Sequence, residues 1–226
     1  MSDQVQWYPP RLQVAGGGCF PVRNVWCVGR NYAEHAREMG ADPDRGTPVF
    51  FSKPAQALCQ AREIAYPPET NELHHEVELV VFLRSGGRNL EADQAQAAIF
   101  GYAIGVDLTR RDAQSAAKKQ GHPWEMSKGF DQAGPVGTIC PAADWQPEAS
   151  MAIQLSVDGL LRQNAKLGDM LWSVPDLLVS LSRTVTLSAG DAVFTGTPAG
   201  VAELLPGQRV RGHIDGLPEL GFRIAA

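Results

Sequence analysis

Residues 73–82, LHHEVELVVF, read as a β-strand heading into the protein interior, yet they carry Glu76 and Glu78 two positions apart. Successive strand side chains point to opposite faces, so Glu76 and Glu78 share a face with Val80 and Phe82, while Val77, Leu79 and Val81 line the other. The two Cα atoms would lie roughly 6.6 Å apart, and ionised carboxylates that close in a partly apolar setting repel each other. A solvated polar face would accommodate them. The apolar tail VVF argues against that solution, so the strand calls for something that neutralises the pair.

A second apolar run, IFGYAIGVD (99–107), has the pattern of a buried strand and stops at Asp107. Asp107 either caps a helix beginning at Thr109 or joins Glu76 and Glu78 as a third hard oxygen ligand on adjacent β elements. A set of carboxylates without His or Cys suits Mg²⁺ or Mn²⁺ over zinc, with water and substrate filling the remaining positions. Imidazole is a poor Mg²⁺ ligand, so His74 and His75 read as structural, as does His122.

The rest of the chain is also rich in strand signals. VWCVG (25–29) and VFFSK (49–53) read as strands, with a short helix in NYAEHAREMG (31–40) that Gly40 would end. A short helix is expected around EADQAQAA and a polar helix over TRRDAQSAAKKQG. Asp158-Gly159 marks a hairpin within MAIQLSVDGLLRQ. Ser173 is a candidate N-cap for a helix over SVPDLLVSLS, with Pro175 in its first turn. DAVFTGTPAGV reads as a strand entering a Gly/Pro-rich loop, and RVRGHIDGL as a closing strand. These patterns predict a β-rich α+β chain with short helices. Residues 1–20, with Pro9-Pro10 and Gly16–Gly18, are expected to form an N-terminal arm, and 21–226 a single domain.

The 226 residues are 44% hydrophobic and 20% charged, with a net charge of −5, so a nucleic-acid binder, which needs a basic surface, is not expected. No apolar run reaches the roughly 18 residues of a membrane span, and the first residues show neither a basic nor an apolar leader segment. A cytoplasmic protein is expected. Cys19, Cys27, Cys59 and Cys140 form no C-x-x-C pair and read as reduced thiols. His35 and Glu38 lie three residues apart on one helical face. Such a pair is either solvated or a general base, the carboxylate orienting the imidazole.

Five stretches in this order, GRNYAEHAREMG, LHHEVELVVF, GYAIGVDLTRRD, GHPWEMSKGFD and GDAVFTGTPAGV, resemble the fumarylacetoacetate hydrolase family from about residue 20 onward. FPVRNVWCVGRNYAEHAREMGADPDR followed by VFFSKP looks most like the bacterial fumarylpyruvate hydrolases of gentisate breakdown, and also like acylpyruvase and oxaloacetate decarboxylase members. The resemblance implies a mixed β-sandwich roll, a homodimer, and Mg²⁺ or Mn²⁺ held by Glu76, Glu78 and Asp107. It implies that His35 and Glu38 activate water and that Lys128, Arg111, Gln114 and Thr197 contact a small diketo acid. Arg45 is the candidate partner for a distal substrate carboxylate, and residues 31–46 are expected to close over the metal as a lid. The implied reaction is hydrolysis of a C–C bond in an acylpyruvate such as fumarylpyruvate. Oxaloacetate decarboxylation, isomerisation of a dienoic diacid and non-catalytic metal binding are the alternatives.

Overall fold

The structure is a computed structural model describing residues 6–38, 40 and 46–226. Its centre is a six-stranded mixed sheet in the order Cys140–Pro141, Ile99–Val106, Val77–Leu83, Ala192–Phe194, Val25–Gly29, Val49–Lys53. Ala192–Phe194 runs parallel to Val25–Gly29, and the other neighbours are antiparallel. A five-stranded sheet built on the hairpin Ala152–Val157/Leu160–Lys166 packs against it. Asp158 and Gly159 turn that hairpin with φ of 50° and 81°, the left-handed pair that a two-residue turn matched to strand twist requires.

The expected alternation explains the packing. Every residue of Val77–Leu83 is buried. Leu79 and Val81 enter a core shared with Ile153, Leu155 and Val210 of the second sheet, whereas Val80 and Phe82 face a smaller core with Val25 and Phe194. Burying each such side chain contributes about 1.5–3 kcal/mol. The sheets approach closely at Gly212, where an added Cβ would lie 3.0 Å from the Ile104 side chain.

Arg11–Gln13 and Cys19–Pro21 form an antiparallel hairpin that buries Leu12 and Phe20 in the smaller core, with Phe20 edge-on to Phe82 at 5.2 Å. The boundary drawn at residue 20 therefore runs through a strand. The helices fall where caps and breakers place them. Ser173 Oγ accepts the Asp176 N–H to start Val174–Thr184, and Gly121, at φ 66°, ends Arg111–Gln120.

Candidate active site

Residues 73–83 are not one strand. Leu73–His75 belongs to a three-stranded sheet with Thr109–Arg110 and Ala202–Glu203, and the chain joins the central sheet only at Val77. Glu76 sits at that junction. Its neighbour chain breaks at the same level, after Val106, and the Asp107 N–H donates to the Glu76 carbonyl at 2.8 Å. The double transfer between sheets turns Glu76, Glu78 and Asp107 inward together. Ligand oxygens from all three lie within 4.8 Å of one another, and the residues are only 5%, 1% and 0% exposed.

Asp107 does not cap the following helix, which starts at Arg111 with Arg110 as its N-cap. Its carboxylate is held by two lysines instead. Lys53 Nζ is 2.7 Å from Oδ1, and Lys128 Nζ is 2.6 Å from Oδ2. Lys128 Nζ also meets Glu76 Oε2 at 2.8 Å, and the Arg111 guanidinium pairs with Oε1. Burial alone would raise the Glu76 pKa, but Lys128 and Arg111 outweigh it and hold the group well below the usual carboxylate range. Burial would likewise lower Lys128, and the Asp107 and Glu76 charges hold it up.

Glu78 is the exception. It accepts the Gly196 N–H at 2.6 Å but has no ion pair among the described residues. Burial, then the Asp107 and Glu76 charges, push its pKa well above the carboxylate range. A cation among the three carboxylates removes that penalty, and their hard-oxygen chemistry and spacing suit a divalent ion of the Mg²⁺ or Mn²⁺ type. Gly196 holds its N–H in place at φ 98°, and an added Cβ would lie 2.6 Å from Asn31 Cβ.

His35, Glu76, Glu78, Arg111, Lys128 and Thr197 line one cleft, together with Gln114. His35 lies on the helix Ala33–Glu38, 6% exposed, with Nδ1 3.3 Å from Glu38 Oε2. Glu38 in turn accepts the Gly200 N–H at 3.2 and 3.3 Å. Burial lowers the His35 pKa below its ordinary value, against the opposing pull of Glu76 and Glu38. The imidazole is therefore neutral at pH 7, with Nδ1–H donated to Glu38 and the Nε2 lone pair left over. Arg111 and Gln114 share a helical face, and Arg111 Nη1 donates to Gln114 Oε1 at 2.5 Å. Arg45 and positions 39 and 41–45 of the expected lid lie outside the described residues.

Several residues in and around this cleft carry no signal that the sequence reading used. Lys53 is 3% exposed, and besides facing Asp107 it donates to the carbonyls of Leu108 and Lys128, tying the strand end to the lysine's own backbone. Gln163, wholly buried, accepts from the Val77 N–H and His75 Nδ1 and donates to Thr197 Oγ1 and the Pro198 carbonyl. That arrangement fills an acceptor position on the Thr197 hydroxyl and leaves its proton for a ligand. Gln163→Ala should cost about 1–3 kcal/mol by chemical denaturation, because it leaves buried donors unpaired. A change below about 0.5 kcal/mol, the scale of an ordinary surface substitution, would mean that the network does not bear on the fold.

The chain as a whole is similar to known proteins. A fumarylpyruvate hydrolase from Pseudomonas aeruginosa, solved with Mn²⁺ and pyruvate, is 44% identical, with a TM-score of 0.96 over 100% of this chain and 99% of that one. An oxaloacetate tautomerase of Escherichia coli is 42% identical over 200 residues, 87% of this chain and 90% of the relative. An oxaloacetate decarboxylase of Dictyostelium discoideum is 37% identical over 197 residues, 86% and 90% of the two chains. Residues 24–225 match the fumarylacetoacetate (FAA) hydrolase C-terminal family, and the chain belongs to that family.

Proposed function

We propose that the protein is a divalent-metal-dependent acylpyruvate hydrolase, acting as a cytosolic homodimer on fumarylpyruvate to give fumarate and pyruvate. The observation that carries this reading is the placement of His35, backed by Glu38, in the same cleft as the buried Glu76–Glu78–Asp107 cluster and Lys128. Likeness over the whole chain to a fumarylpyruvate hydrolase supports it. The names of the tautomerase and decarboxylase relatives favour a second reading, keto–enol conversion or decarboxylation of oxaloacetate.

Glu76, Glu78 and Asp107 would hold the ion, which when bound supplies Lewis-acid stabilisation of negative charge developing on the substrate C2 oxygen. His35 Nε2 takes a proton from water, and the hydroxide adds to the C4 carbonyl. Collapse of that adduct breaks the C3–C4 bond, leaving fumaric acid and the pyruvate enolate. C3 of the enolate recovers the proton from His35, and the new carboxylic acid releases one to solvent. Lys128 and Arg111, already paired with Glu76, keep the cleft from becoming anionic around a dianionic substrate. Thr197 donates its hydroxyl proton to a substrate oxygen.

Incubation of fumarylpyruvate with the protein and Mg²⁺ or Mn²⁺ should release equimolar fumarate and pyruvate, and chelation should stop the reaction. Full activity after exhaustive chelation would rule the reading out. The pH profile gives a separate check. A base must be deprotonated, and a lowered pKa keeps His35 neutral further into acid. At saturating metal, kcat/KM should hold as pH falls past the ordinary histidine value of about 6.5 and decline only below it. A decline centred above 6.5 would contradict a base so buried.

A further inference from the structure

Arg111, Gln114 and Lys118 stand at i, i+3 and i+7 on one face of the helix Arg111–Gln120, and all three line the cleft. Only the first two face the carboxylate cluster closely enough to be bonded to it or to each other. Lys118 is exposed at the mouth, 5.0 Å from the centre of the Trp124 ring. Trp124 packs against Phe51 at 5.7 Å with the ring planes tilted by 58°, so the cleft has two angled aromatic faces. Arg30 lines the same mouth, in a left-handed conformation at φ 64° that is uncommon for a residue with a side chain. Neither Lys118 nor Arg30 has a carboxylate partner among the described residues. Desolvation in the cleft and the nearby Arg111 charge push Lys118 down to about 8, with Arg30 adding to the effect, although the side chain keeps contact with solvent. Two like charges thus line one cleft.

We infer that Lys118 and Arg30 form a subsite for a second, distal carboxylate of the substrate, with Trp124 and Phe51 as apolar walls beside the chain between the two acid groups. This deepens the acylpyruvate reading and rests on it for the orientation of the ligand, 2-oxo acid end inward. It assigns specificity to described residues that line the cleft, where the sequence had offered Arg45. A conjugated, trans-configured chain is flat and lies against an aromatic face, and its terminal carboxylate then reaches the cations. A chain ending in methyl meets the same walls and leaves both cations unused.

The test uses Mn²⁺-loaded protein and a matched pair of unreactive ligands, 2-oxoadipate and 2-oxohexanoate, which differ at the far end by carboxylate against methyl. Calorimetric titration should show 2-oxoadipate binding tighter by roughly 10- to 100-fold, the range for a charge-assisted hydrogen bond. Lys118→Met and Arg30→Met should each shrink that ratio, the double variant should bring it near one, and Lys118→Arg should retain most of it. A ratio near one in the unaltered protein, a ratio that survives the double variant, or binding of neither ligand would overturn the subsite. Hydrolysis is scored separately. A large ratio without fumarylpyruvate cleavage removes the hydrolase reading and leaves the subsite, and cleavage without a ratio does the reverse.

Discussion

Asp107→Asn should abolish divalent-ion binding and turnover together, and should cost the fold about 3–5 kcal/mol, the penalty for breaking a buried pair from one side. The change removes one charge from a residue that is 0% exposed and leaves Lys53 and Lys128 facing a neutral amide. Lys53 is 3% exposed and cannot turn to water for solvation. Altering groups that merely support metal ligands weakens affinity roughly 10- to 100-fold, so if Asp107 ligates the ion directly its loss should reach at least the upper end. Mn²⁺ titration and chemical denaturation on the same sample separate the two effects. Unaltered Mn²⁺ affinity would show that Asp107 serves the lysines alone.

His35→Ala is the second large effect, and it divides the candidate reactions. Hydrolysis needs a base to make the nucleophile, so cleavage of an acylpyruvate should fall by roughly 10²- to 10⁴-fold. Decarboxylation of oxaloacetate draws on the electron sink and needs no attacking water, so it should fall less, whereas Asp107→Asn should remove both. His35 has its imidazole tied to Glu38 at 3.3 Å, and Glu38 is tied to the Gly200 N–H. Equal losses on both substrates would mean that this chain of contacts organises the loop after Phe194 and does not activate water.

The carboxylate cluster was legible because it breaks a rule. Charges at Glu76, Glu78 and Asp107 within apolar strand patterns cannot be left unpaired, so their burial could be foreseen together with the need for a cation. The break at Glu76 was not legible, since a strand that leaves one sheet for another keeps its period of two and its apolar composition. The hairpin at Asp158-Gly159 and the cap at Ser173 rest on local backbone chemistry and were read without tertiary knowledge. Lys53 was hidden for the opposite reason. A lysine closing the strand VFFSK looks like a solvated end, and only the approach of Asp107 and the Lys128 carbonyl, far along the chain, makes it internal. Gln163 lies on a strand that is otherwise largely exposed, so nothing nearby marks it as wholly buried. Lys118 had a local signal, its i+7 spacing from Arg111, but that spacing gains meaning only once the cleft is seen to run along the helix.

Hydrolysis of an acylpyruvate at this cleft is tested most directly by comparing kcat/KM for fumarylpyruvate cleavage and for oxaloacetate turnover, tautomerisation and decarboxylation included. Both are measured on one preparation with one concentration of Mg²⁺ or Mn²⁺. Discrimination between substrates is the ratio of these constants, and the account predicts that fumarylpyruvate is favoured by roughly 100-fold. Oxaloacetate turnover at an equal or higher kcat/KM, with no fumarate formed from fumarylpyruvate, would contradict it.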